Sequence, residues 1–345
     1  MRLKMRNLLL TSAAALSLLA CGMPAFSAEV TKIAIVAPEQ GTDFGWNQQG
    51  IEGARKAAEM TGTEVIVAEG LGYGNIRPTL RELAEDGAQL IIAHASGYTT
   101  DAIEIAKEMK IYVAAGTPSE APLIGKYELT GEAGSYLAGV LAAKTTKTKV
   151  IGIVVSSESP NWNAQSAGFV QGVRSVDPKI VVRYAIIGPA AYADVAGARR
   201  VTESVIASGA DIIFGQGNGS SFGMIQAVET VKPPSGDKVW FIDVIGDKTS
   251  IDKGHLLSSV LWDMSPIFAR MVEDIRADRF GTADYALSLK DGSQRLLKTK
   301  YIDDALWAEL EATKDKIIAG DIKVEMVTDP LATRKMMSET IVSAE

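Results

Sequence analysis

Apolar residues come along this chain in short unbroken runs rather than in alternation. KIAIVA (32–37), EVIVA (64–68), QLIIAHA (89–95) and IYVAA (111–115) each read as a strand. A run that stays apolar at successive positions belongs to a strand buried on both faces, the environment of a parallel sheet covered by helices. Between the runs the apolar spacing becomes helical, which predicts helices over 47–61, 78–87 and 100–109. Pro78 stands in a first helical turn, where its missing N–H breaks no bond.

A second series repeats the first. A Gly/Ala-rich helix, GEAGSYLAGVLAAKTT (131–146), has side chains small enough for close packing. It leads into KVIGIVVS (149–156), IVVRYAII (180–187), DIIFGQ (211–216), VWFIDV (239–244) and HLLSSVLW (255–262). Helices are predicted at 163–175, 194–208 and 222–231, then from Pro266 to Arg279. LSLKDGSQRLL (287–297) reads as a hairpin and 301–318 as a helix. The pattern predicts an α/β chain of two lobes, each a mostly parallel sheet flanked by helices. A ligand crevice is expected outside the carboxyl ends of both sets of strands.

The start of the chain departs from this pattern. Arg2, Lys4 and Arg6 precede an apolar stretch from Leu8 to Ala20 that is short for a bilayer span, then small residues. This reads as an export signal over 1–27. AFS (25–27) fits ordinary cleavage, whereas LLAC offers Cys21 for lipidation. Cys21 is the single cysteine, so neither an internal disulfide nor a cysteine metal site can form. Without residues 1–27 the chain keeps 32 basic against 42 acidic side chains, a net −10. Such an acidic chain carries no nucleic-acid footprint.

The candidate chemistry lies just after the strands. Phe44, Trp46 and Asn47 follow the first, and His94, Ser96 and Tyr98 the third. Asn161, Trp162 and Asn163 open the second lobe's crevice, followed by Gln216 and Asn218, then Asp243 or Asp247, then Trp262 and Asp263. Aromatic faces stack on a flat ring, and amides, which both donate and accept, read its polar edge. Structural roles compete at several positions: Asn47 as a helix N-cap, His94 as a core imidazole, Asp243 as the partner of a buried lysine. Trp240 and Trp307 read as packing. Enzyme signatures are missing. GQGNGSSFG lacks the P-loop lysine and the dinucleotide spacing, His255 has no second histidine beside it, no GxSxG elbow occurs, and no acid cluster marks a nucleoside hydrolase.

GWNQQGIEGARKA, GEAGSYLAGVLAAK, NAQSAGFVQGVRSVDP, GADIIFGQGNG and LLSSVLWDM, in this order, resemble the basic membrane protein family of ABC-transporter substrate-binding proteins. That family includes purine-nucleoside receptors. The resemblance implies a type I periplasmic-binding fold, with crossovers near 128–131, 261–264 and in the C-terminal segment. One lobe would comprise 29–128 with 263–330 and the other 129–262, leaving 331–345 as a frayed tail. It implies a periplasmic, monomeric receptor without catalysis or cofactor, closing on a purine nucleoside or base and docking on an inner-membrane ABC permease. Trp46 and either Trp162 or Trp262 would stack the ring, with Asn47, Asn163, Gln216 and Asp243 reading its edges. Nucleoside-binding members carry a lysine where this chain has Trp262, and an aspartate where it has Ala115 and Gly116. That departure favours a free base. A sugar is the alternative ligand on the same fold, disfavoured because Arg77 and Arg199 stand away from the strand ends. A nucleoside-cleaving enzyme and a sensor partner are further alternatives.

Overall fold

The computed structural model describes residues 29–338, apart from 117, 128 and 237. The expected export signal with Cys21, and residues 339–345 of the expected tail, lie outside them. The first series folds as β1 (Lys32–Val36), α1 (Trp46–Thr61), β2 (Glu64–Ala68), α2 (Arg77–Glu85), β3 (Leu90–Ala93), α3 (Thr99–Met109), β4 (Tyr112–Ala115) and β5 (Ile124–Lys126). Its five strands pair in the order β2-β1-β3-β4-β5, all parallel. β3 is buried at every position, as its unbroken apolar run requires, and the edge strand β2 is only partly covered.

The second series contains α4 (Glu132–Thr145), β6 (Val150–Val155), α5 (Pro160–Val176), β7 (Val181–Ile186), α6 (Val195–Ala207), β8 (Ile212–Gln216), α7 (Ser221–Thr230), β9 (Trp240–Ile245) and β10 (Leu256–Trp262). It continues with α8 (Ser265–Arg276), β11 (Gln294–Leu296), α9 (Asp304–Ala319) and α10 (Pro330–Ser338). The second sheet runs β11-β10-β9-β8-β6-β7, parallel except where β11 meets β10. The close packing expected of the Gly/Ala-rich helix is present between α4 and α5. A Cβ on Gly139 would fall 2.0 Å from the Phe169 carbonyl oxygen, and one on Gly172 2.0 Å from that of Tyr136.

Three sequence expectations change. No hairpin forms at 287–297: β11 pairs antiparallel with β10, and a single backbone bond joins Gln294 N–H to Ser288 O at 3.0 Å. Of the segment expected in the first lobe, α8 packs on α1, but β11 extends the second sheet and α9 packs on α4. The third crossover therefore lies between Tyr285, bonded to Lys126 O, and β11. The expected frayed tail is helical as far as Ser338. α10 packs on α5 and β7, with Thr333 and Met337 buried and the Arg174 guanidinium donating to Met336 O.

Both sheets reverse strand order beside their first strand. β1 lies between β2 and β3, and β6 between β7 and β8. Helices that leave adjacent strands toward opposite faces open a crevice at such a switch point. In this chain the two switch points face each other.

Candidate functional site

Between them lies a cavity of about 160 Å³. Trp46, Asn47 and Ser96 reach it from the first sheet, Trp162 and Asn218 from the second. No charged side chain lies on its wall among the described residues. A larger groove of about 780 Å³ lies against the segments that link the sheets. It gathers Lys126, Glu132, Asp284 and Lys290 around a single aromatic ring, Tyr285, and lacks facing tryptophans.

The first-sheet wall is built around the start of α1. Four donors at that start converge on Asp43. Oδ1 accepts from Gly45 N–H (2.9 Å) and Gln48 N–H (3.0 Å), and Oδ2 from the backbone (3.1 Å) and side chain (2.9 Å) of Asn47. A carboxylate there is also favoured by the helix dipole. Asp43 therefore does the capping that the sequence pattern assigns to Asn47, whose amide is held between Asp43 and Glu39. Burial, with the Asp43 charge nearby, raises the Glu39 carboxyl above its ordinary range.

Trp46 is fixed from behind. The His94 imidazole stacks on it with centroids 4.1 Å apart and planes 1° from parallel. The indole N–H donates to His94 O (2.8 Å), and His94 Nε2 lies 2.7 Å from Trp46 O. A carbonyl only accepts, so Nε2 carries the proton and Nδ1 accepts from the Tyr127 hydroxyl at 3.0 Å. Burial holds the imidazole pKa down to about 4, so the ring is neutral. The contact requires Gly50, because a Cβ there would lie 2.1 Å from Nε2. With one indole face on His94, Trp46 remains partly exposed and lines the cavity.

Seven predicted site residues lie off the wall, each for a visible reason. His94 is buried behind Trp46. Trp262 meets the Trp46 ring edge-on at 6.2 Å and is buried. Phe44 packs edge-on against Phe222, with centroids 6.0 Å apart. The Tyr98 hydroxyl donates to Gly72 O and so holds the loop that carries Tyr73. The Asn163 amide donates to Thr328 O at 2.8 Å, and the Gln216 amide to Ser166 Oγ at 2.6 Å. Asp243 is fully buried against Lys248, their N···O distance 2.8 Å, while exposed Asp247 accepts from Thr249 N–H. Burial pushes the Asp243 carboxyl upward, against the pull of the Lys248 ammonium.

The sequence reading missed Tyr73, Tyr127 and Tyr192, all on the wall. Tyr73 and Tyr192 follow β2 and β7, so the strand-end criterion reaches them once those two strands are included. Tyr127 follows β5, a three-residue strand too short for any periodicity to reveal. The wall thus combines two tryptophans, three tyrosines and short amides. It suits a flat molecule with a few polar atoms at its edge, since among the described residues of the wall a buried ion would meet no opposite charge.

The family model described as ABC transporter substrate-binding protein PnrA-like matches residues 30–328. Transcriptional activator protein med of Bacillus subtilis is 20% identical over 79% of this chain and 83% of its own. Two relatives match only about half of either chain. The ABC transporter nucleoside-binding protein BmpA of Lactococcus lactis is 28% identical over 55% of this chain and 57% of its own. A purine-binding protein of Brucella abortus is 26% identical over 56% of each. Among solved structures, an ABC transporter solute-binding protein from Aeropyrum pernix superposes with a TM-score of 0.75 at 18% identity, over 90% of this chain and 97% of that one. Two facing, mostly parallel sheets around a cleft rich in aromatic rings are the frame of a type I periplasmic-binding fold, and the chain belongs to the PnrA-like family of ABC transporter substrate-binding proteins.

Proposed function

We propose that this receptor works outside the cytoplasm and captures a purine base, with purine nucleosides as weaker ligands, for delivery to an ABC permease. The observation that carries the reading is the uncharged cavity with Trp46 on one lobe and Trp162 on the other. The ring stacks on the free face of Trp46. Asn161 and Asn218 lie on the wall beside it to meet the ring nitrogens and exocyclic groups, while Asn47, also on the wall, has its amide held by Asp43 and Glu39. A ribose would need partners for its hydroxyls. The lysine and aspartate expected of nucleoside-binding members are replaced by Trp262, packed behind Trp46, and by Ala115 and Gly116. The nucleoside- and purine-binding relatives support the ligand class.

Calorimetry against adenine, guanine, adenosine, guanosine and inosine, with arabinose and glucose as comparators, tests the reading. A base is expected to bind at least about tenfold more tightly than its nucleoside, a gap of about 1.4 kcal/mol. Silence from every purine, with heat from a sugar, would overturn it.

A further inference from the structure

We propose that Lys248 is a positioning residue for ligand binding: it latches the second lobe onto the Phe44 carbonyl of the first and so holds Trp46 in its stacking place. The proposal rests on the reading that the cleft closes on a ligand, and it adds a residue that does not touch that ligand. Lys248 follows β9, is 2% exposed and is absent from the cavity wall. A buried ammonium needs acceptors for its three protons. Two partners lie in its own lobe, Val244 O, accepting at 3.3 Å, and the Asp243 carboxylate, an ion-pair contact at 2.8 Å. The third is Phe44 O at 2.8 Å, in the loop between β1 and α1 on the opposite lobe. Only when the lobes meet are all three acceptors in place.

The backbone is shaped for this contact on both sides. Phe44 has φ 49° and Ile245 φ 71°, in the left-handed region that bulky side chains rarely adopt. Such conformations persist where surrounding contacts over-determine them. Between them Gly246 lies so close that a Cβ would stand 2.0 Å from Phe44 O. Phe44 is two residues before Trp46, so fixing its carbonyl fixes the approach of the indole. Asn218 Oδ1, accepting from Trp46 N–H at 3.3 Å, adds a second, uncharged bond between the lobes.

Two variants separate latch from fold. Lys248→Met removes the donor, and Lys248→Arg returns a charge. Gly246→Ala leaves the Lys248–Asp243 pair intact and obstructs only the approach of Phe44, so it serves if Lys248→Met fails to fold. Stopped-flow tryptophan fluorescence with adenine gives association and dissociation rates. Spin labels at exposed Glu59 and Arg200, in a Cys21→Ser background, give the distance between lobes with and without adenine. Losing one charge-assisted bond should speed dissociation about tenfold in Lys248→Met and Gly246→Ala, with association little changed, and Lys248→Arg should recover most of the loss. The short-distance component should shrink in the first two variants. Dissociation rates and distances equal to wild type, with adenine still binding, would overturn the latch and leave the ligand reading standing. Loss of the short component in a protein that binds no purine would uphold the latch and sink the ligand. Neither purine binding nor a short component in the wild type would sink both.

Discussion

At the scale of single residues, the cavity depends on how Trp46 is held as much as on Trp46 itself. Stacking a base on an aromatic side chain contributes about 1–3 kcal/mol. Trp46→Ala and Trp162→Ala should therefore each weaken adenine binding about 10- to 100-fold by calorimetry, with little change in melting temperature for Trp46, which is only partly buried. Gly50→Ala should act through His94. Its Cβ enters the space of Nε2, and overpacking of this kind costs about 1–3 kcal/mol, so both stability and affinity should fall. His94 also ties stability to pH. Its pKa is about 4 in the fold against 6.5 when free, so the unfolded chain binds the proton more readily between these values. The neutral-histidine contribution is complete above pH 6.5 and is lost as the pH falls toward 4, by about 3 kcal/mol in all. Urea unfolding of wild type and His94→Gln across that range should give a difference that shrinks as the pH is lowered.

At the scale of elements, most helices and strands were legible because their apolar periods are long and unmixed. The α1 run begins at Trp46 against an expected 47, and β6 through β10 fall within a residue or two of their sequence runs. β5 and β11 were not legible, being three residues each and fixed by their neighbours. The hairpin expected at 287–297 failed for a related reason. Turn-forming residues mark where the chain bends, whereas the open edge of β10 decides what β11 pairs with. The α4–α5 pair is sensitive to a single change. At Gly172 any side chain meets the Tyr136 carbonyl, so Gly172→Val must separate the helices or unwind one. A loss of about 3 kcal/mol or more is expected in denaturant titrations, at the severe end for single substitutions.

At the scale of the whole molecule, ligand binding is a question of how two sheets meet. Their switch points face each other, and two hydrogen bonds join them there: Lys248 to Phe44 O, away from the cavity wall, and Asn218 to Trp46 N–H, between two wall residues. Adenine should reduce the radius of gyration measured by X-ray scattering if these contacts form on closure. The sequence by itself determined the two α/β series, the crevice at their strand ends and the aromatic-amide character of the site. Those features follow from local patterning and from the kinds of side chain a flat ring requires. Tertiary structure alone decided which strand-end residues line the cavity and which stand behind them. His94 and Trp262 occupy strand ends as suitable as that of Trp46, yet each has a partner from a distant segment that draws it off the wall, and Asp243 is drawn off it by Lys248, just beyond the same strand. Partners such as Tyr127 and the Trp46 carbonyl are set by the packing of sheets and helices, and no local period records them.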